Sequence, residues 1–195
     1  MTPETTNFEK FQTGNPIVRR LINNFFEKVT QKFMAQPIEH LLDAGCGEGM
    51  TLYQLKDHLP DRITGFDINP DCVGYTTSLF PDVNATVEDI FNLPYEDNAF
   101  DMIICLEVFE HLPNPDLALK ALKRVANKRL IMSVPHEPWF QLGSFCRGKY
   151  LKSWGNHSEH INHWSPKSFE AFLKQEFTHV SIDTSLPWII AEISV

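Results

Sequence analysis

Apolar positions along the chain follow two different rhythms. Ile17, Leu21, Ile22, Phe25, Phe26, Val29 and Phe33 recur every three to four residues, the period of an amphipathic helix running to about Met34. Asn15 stands at its N-cap position and Pro16 at its first turn. Short blocks with apolar residues follow at 38–43, 62–67, 85–88, 100–105 and 129–134, and the one at 100–105 is nearly continuously apolar. All five read as strands, and the run at 100–105 as a buried strand of a parallel sheet. Helical runs separate them: Met50–Leu59 with Leu52, Leu55 and Leu59 on one face, Pro70–Leu79 around Gly74, Glu107–Leu112, and Pro115–Ala126. Ser165-Pro166 starts another helix through Phe169, Phe172 and Leu173, and 180–183 and 188–195 close the chain as strands. Residues 1–13 lack either rhythm and read as an arm; residues 136–164 lack one too and are rich in aromatics and histidine.

Strands alternating with helices predict an α/β sandwich with a mostly parallel sheet. Nothing resembling a linker or repeat interrupts residues 1–195, so one domain is expected, with 1–36 as arm and first helix and 136–164 as a substrate-site segment. Ligands of such sheets bind at the carboxyl ends of the strands. Asp43, Asp67 and Asp89 stand at or just past three of those ends, so one crevice should collect all three acids.

Composition changes this picture little. With 195 residues, 43% hydrophobic and 22% charged, the chain is large enough for a proper core. No apolar run approaches the roughly 20 residues of a membrane span, and the polar N-terminus has no signal-peptide core. Cys46, Cys72, Cys105 and Cys146 form no CxxC pair and read as reduced thiols of a cytoplasmic protein. A net charge of −8 disfavours nonspecific nucleic-acid binding, which calls for basic patches.

The candidate chemistry starts at Asp43-Ala44-Gly45-Cys46-Gly47-Glu48-Gly49, a strand end breaking into a glycine turn before a helix. Backbones approach nucleotide-like ligands in that context. Charge separates the possible cofactors. A dinucleotide would set phosphates beside Asp43 and Glu48, whereas S-adenosylmethionine brings an ammonium and a sulfonium, which those carboxylates attract. Spacing agrees, because Gly49 stands one residue too early for G-x-G-x-x-G. Asp67, about 20 residues beyond the loop, suits the ribose hydroxyls of either cofactor class. Asp89 can accept from an adenine amino group, and Ile68 and Ile90 can flank the ring.

These residues resemble the class I S-adenosylmethionine-dependent methyltransferases. Leu41–Gly49 resembles the family's first motif, Gly65-Phe66-Asp67-Ile68-Asn69 its second strand and ribose acid, and Glu88-Asp89-Ile90 with Leu93-Pro94-Tyr95 and 100–104 its adenine turn and fourth strand. The resemblance covers roughly residues 38–135. It implies a Rossmann-like three-layer sandwich, a seven-stranded sheet with an antiparallel last strand, and a cofactor site at Asp43, Gly45, Gly47, Gly49, Asp67, Ile68, Asp89, Ile90 and Leu106. S-adenosylhomocysteine would be the product. The tetrapeptide of amino-methylating DNA enzymes is replaced here by Leu106-Glu107-Val108-Phe109, and no cysteine follows a proline as cytosine C5 enzymes require.

Methyl transfer is an in-line displacement governed by alignment, and a base is needed only for a protonated acceptor. His111 and His160 are the candidate bases or hydrogen-bond partners. If 107–112 is helical, Glu107, Glu110 and His111 share one face, and with His160 they resemble the metal site of small-RNA 2′-O-methyltransferases and, more loosely, of ubiquinone-pathway O-methyltransferases. No metal is assigned here. Trp139, Phe140, Phe145, Tyr150 and Trp154 interleave with Arg147, Lys149 and Lys152, the pattern of an aromatic wall for an anionic or amphipathic small-molecule acceptor. The leading expectation is therefore methyl transfer to O, N or C of a small molecule. The alternatives are an RNA 2′-O-methyltransferase, a non-catalytic cofactor-binding domain, and a nicotinamide oxidoreductase.

Overall fold

The computed structural model describes residues 15–137 and 160–195. Helix α1 (Pro16–Phe33) is followed by β1 (His40–Ala44), α2 (Met50–Leu55), β2 (Arg62–Asp67), α3 (Pro70–Leu79), β3 (Asn84–Val87) and β4 (Phe100–Leu106). Then come α4 (Pro115–Val125), β5 (Ala126–Pro135), α5 (Pro166–Leu173), β6 (His179–Ser185) and β7 (Trp188–Ser194). The strands form one seven-stranded sheet in the order β3-β2-β1-β4-β5-β7-β6. Strands β1 to β5 pair in parallel, and β7 runs antiparallel to both β5 and β6. This is the expected Rossmann-like sandwich with its antiparallel last strand.

Alternation along each strand sorts the core into two layers. Leu41, Met102, Ile104, Ile131 and Ile190 face α1 and α2, which contribute Phe25, Val29, Phe33, Leu52 and Leu55. Leu42, Ile103, Cys105, Leu130 and Met132 face α4 and α5, which contribute Leu119, Leu122, Phe169 and Leu173. Each such side chain, fully buried, is worth roughly 1.5–3 kcal/mol. The helix ends are closed by the residues the sequence offers: Asn15 Oδ1 accepts from the N–H groups of Ile17 and Val18 at 2.9 and 3.4 Å, and Ser165 and Ser168 cap α5 reciprocally. At the other end of α1, the Arg129 guanidinium donates to the Lys32 carbonyl at 2.8 Å. That bond ties the helix's last turn to β5.

Two expectations need correction. The helix expected over 50–59 stops at Leu55. The helix expected over 107–112 is a single 3-10 turn, Phe109–His111. Glu107 has φ 59°, and its N–H donates to the Ser133 carbonyl at 3.1 Å, so it extends the β4–β5 ladder instead of starting a helix. Pro113 disfavours helical backbone at Leu112. The arm over 1–13, the aromatic-basic stretch with Arg147, Lys149 and Lys152, and Cys146 lie outside the described residues. Cys46, Cys72 and Cys105 are free thiols. Among the described residues no helix is long and apolar enough to cross a membrane.

Candidate functional site

The loop between β1 and α2 folds back over the end of β2. The N–H groups of Gly45 and Cys46 both donate to the Phe66 carbonyl, at 2.9 and 2.8 Å. The Gly47 N–H donates to Asp67 Oδ2 at 2.9 Å, and the Thr76 hydroxyl donates to the Gly47 carbonyl at 2.8 Å. Gly45 and Gly47 have φ of 74° and 53°, a left-handed backbone that side chains other than glycine rarely adopt. Their surroundings differ. A Cβ on Gly45 would fall 2.5 Å from Val108 Cγ2, whereas a Cβ on Gly47 meets no described atom within 4 Å. Gly45 is therefore glycine because protein fills the space beside it, and Gly47 borders open space.

Carboxylates gather around this loop. Asp43 is 2% exposed, and its Oδ2 finds no hydrogen-bond partner. Burial, and then the neighbouring Asp67 charge, push its carboxyl up to about 7. Glu48 is 4% exposed with Oε2 likewise unpartnered, and burial with Asp67 again raises it. A buried oxygen without a donor costs stability, so such a pair suits a cationic guest. Asp67 Oδ1 accepts from the Asn69 N–H at 2.9 Å; each of its oxygens takes one backbone bond and keeps a second lone pair. Asp89 lies exposed past β3, with Oδ1 accepting from the Phe91 N–H at 3.0 Å. Ile68 is 69% exposed on the rim, whereas Ile90 at 7% belongs to the core layer. Leu106 is half-buried at the end of β4 and packs on the α1 side.

Beyond β4 the chain brings Glu110, His111 and His160 together, with one ligand-type atom of each lying within 4.8 Å of the others. Glu110 is buried, with Oε1 3.7 Å from His111 Nε2, and the two imidazole centroids are 5.0 Å apart. Backbone stitching delivers His160: the N–H groups of Ile161 and Asn162 donate to the Glu110 carbonyl at 2.9 and 3.1 Å. Asn162 Nδ2 also donates to the carbonyls of Phe109 and Leu112, at 2.8 and 2.7 Å. Glu107 does not join this group. Its carboxylate accepts from the Ser133 hydroxyl at 2.7 Å and the Trp188 indole N–H at 2.9 Å. The shared face expected for Glu107, Glu110 and His111 is absent because the segment is not a helix. Sequence reading missed Asn162 and the burial of Glu48. The only signal for either was an asparagine beside a histidine and an acid between two glycines.

Comparison with known proteins adds the following. A family model described as a methyltransferase domain matches residues 42–131. Tocopherol O-methyltransferase of Arabidopsis thaliana is 26% identical over 158 residues, covering 70% of this chain and 45% of that protein. The tRNA U34 carboxymethyltransferase of Nautilia profundicola is 32% identical over 91 residues, covering 45% of this chain and 30% of that protein. The chain thus spans half or less of the length of these relatives. Magnesium protoporphyrin IX methyltransferase from Synechocystis PCC 6803, solved with bound SAH, superposes with a TM-score of 0.69 at 16% identity, covering 97% of this chain and 94% of that one. That superposition is a likeness of fold.

Proposed function

We propose that the chain is a class I S-adenosylmethionine-dependent methyltransferase, a reading supported by the methyltransferase-domain match over residues 42–131, and that it transfers a methyl group from S-adenosylmethionine to O, N or C of a small-molecule acceptor. One observation carries the reading: a buried carboxylate with an unpartnered oxygen, Asp43, heads a loop in which the left-handed Gly47 borders open space. The donor set fits this cofactor better than a dinucleotide. Asp43 and Glu48 attract a cation and repel a pyrophosphate.

When bound, the cofactor supplies a methyl group activated on a cationic sulfur. The chain's own residues do the rest. Asp43 takes the cationic amino-acid half, directly or through water, and Gly45, Gly47 and Gly49 let the backbone come close. The spare lone pairs of Asp67 receive ribose hydroxyls. Asp89 receives the adenine amino group, with Ile68 and Ile90 flanking the ring and Leu106 at the end of β4. His111 and His160 accept the proton of a protonated acceptor or orient it. The aromatic and basic residues of 139–154 favour an anionic or amphipathic acceptor, and the free thiols suit a reducing cytoplasm.

A second reading has one observation behind it. Glu110, His111 and His160 offer three ligand atoms within 4.8 Å of one another, a donor set suited to a divalent ion that would polarise an acceptor hydroxyl. An RNA acceptor has less support: the stretch resembling the tRNA-modifying relative is 91 residues, and the charge of −8 is unfavourable.

The test is thermal shift. S-adenosylhomocysteine at about 100 times its Kd should stabilise the protein by about 2.7 kcal/mol, and NAD should leave Tm unchanged. A shift with NAD and none with S-adenosylhomocysteine overturns the reading. Methyl-labelled cofactor with a metabolite panel then identifies the acceptor, and unchanged turnover in EDTA removes the metal.

A further inference from the structure

The turn after β4 carries a side chain in a backbone conformation that it does not favour. Glu107 has φ 59°, a region costing a residue other than glycine about 1 kcal/mol or more unless its surroundings hold it there. The surroundings here are specific. Its N–H is bonded to the Ser133 carbonyl. One carboxylate oxygen takes the Ser133 hydroxyl at 2.7 Å, and the other takes the Trp188 indole N–H at 2.9 Å. Trp188 is itself held against α1, with its ring 4.9 Å from that of Phe25. Glu107 is therefore anchored on β5, on β7 and, through Trp188, on the first helix.

The left-handed turn has a consequence one residue later. It sends Val108 back across the end of β1, where Val108 Cγ2 occupies the space that a Cβ on Gly45 would need, 2.5 Å away. The turn after β4 and the glycine loop after β1 thus pack as a matched pair. The first glycine leaves a gap, and the valine fills it.

We propose that Glu107 is a positioning residue for the glycine loop: its carboxylate, anchored on Ser133 and Trp188, holds the left-handed turn that seats Val108 against Gly45. The loop's conformation depends on this contact whatever the ligand. The consequence for cofactor affinity rests on the methyltransferase reading above. Glu107 acts here through Val108 and touches no ligand, which is a different role from the metal ligand suggested by its place in the sequence.

The experiment measures amide hydrogen exchange in the ligand-free protein and, separately, S-adenosylhomocysteine affinity by calorimetry, for wild type, E107A, E107Q, E107G and W188F. In E107A the amides of Gly45, Cys46 and Gly47 should exchange about tenfold faster or more, with those of Leu42 and Ile103 unchanged, and affinity should fall about tenfold. E107Q should recover most of both, because a glutamine can accept from Trp188 and donate to a rotated Ser133 hydroxyl. W188F should fall between. E107G decides whether the carboxylate matters: glycine takes φ 59° freely, so a loop as protected as in wild type overturns the proposal. Exchange that rises across the whole sheet in step with a lower Tm, or loop amides unmoved in E107Q, W188F and E107A alike, also overturns it. A wild type that binds no S-adenosylhomocysteine while E107A still loosens the loop upholds the positioning role and overturns the functional reading instead.

Discussion

Two aspartates on adjacent central strands show how the opposite ends of this sheet are built. Asp101, near the start of β4, collects four donors. Oδ2 accepts from the N–H groups of Glu39 and His40 at 2.9 and 3.4 Å, and Oδ1 from Asn127 Nδ2 at 3.2 Å and Lys128 Nζ at 2.9 Å. The Glu39 N–H foremost, then Lys128, hold its carboxyl down at about 2. Asp43, near the end of β1, is more deeply buried yet leaves Oδ2 without a donor, and stands at about 7. One acid is finished by the fold and staples β1 to β4. The other keeps a buried oxygen without a donor, which is what its proposed role toward a cation requires. Residue type is the same and both acids sit within strands, at opposite ends of the sheet; the donors decide which acid is structural.

The comparison is broken most directly at Asp43. D43N should lower S-adenosylhomocysteine affinity by tenfold or more, measured by calorimetry, while raising the Tm of the ligand-free protein. The Tm gain has a definite pH dependence. A folded-state carboxyl at about 7 against about 3.9 unfolded means that the folded chain binds more protons between those values. Asp43 therefore withdraws stability as pH rises from about 4 to about 7. The Tm advantage of D43N over wild type should grow across that window and level off above it. Equal Tm at pH 5 and pH 7.5 with unchanged affinity would end the distinction between the two acids.

Asp101 should behave with the opposite signs. D101N removes charge-assisted bonds worth about 1–3 kcal/mol together, so Tm should fall by several degrees with S-adenosylhomocysteine affinity intact. Its folded carboxyl at about 2 lies below the unfolded value, so the stability it adds is present above about pH 4 and lost as pH falls toward 2. Affinity lost along with stability in D101N would mean that the two ends of the sheet are not independent.

Much of this was legible in the chain. Strand order needs tertiary information, but each strand was legible at about its place, β4 most clearly as a nearly continuous apolar run, and α1 was marked at its start by Asn15-Pro16. Two of the strand-end acids, Asp43 and Asp67, lie near enough for the charge of one to raise the carboxyl of the other. Legibility failed where distant residues set the local conformation. Glu-x-x-Glu-His reads as helix by spacing. The left-handed Glu107 that prevents one is held by Ser133, 26 residues away, and Trp188, 81 away. His160 meets His111 because Asn162 bonds carbonyls 53 and 50 residues earlier. Ile68 and Ile90 follow strand-end acids in the same way, yet one is exposed and the other is core. Their surroundings differ, and their local sequence does not say so.

The smallest expected effect sharpens the comparison furthest, because Glu48 shares the incompleteness of Asp43 at the other side of the same loop. Its Oε2 is buried without a partner, and burial with Asp67 raises its carboxyl. If that incompleteness belongs to cofactor binding, E48Q should weaken S-adenosylhomocysteine only slightly, since the charge of Asp43 persists. The Tm of the ligand-free protein should rise by a degree or two as the like-charge contact with Asp67 disappears. The gain should widen as pH rises through the carboxylate range, because a raised folded value again withdraws stability on ionisation. Combined with D43N, the stability gains should fall short of additive, both having relieved repulsion against the same Asp67. Strict additivity would place Glu48 outside the field that Asp43 and Asp67 share, and leave the attraction for a cation to Asp43 alone.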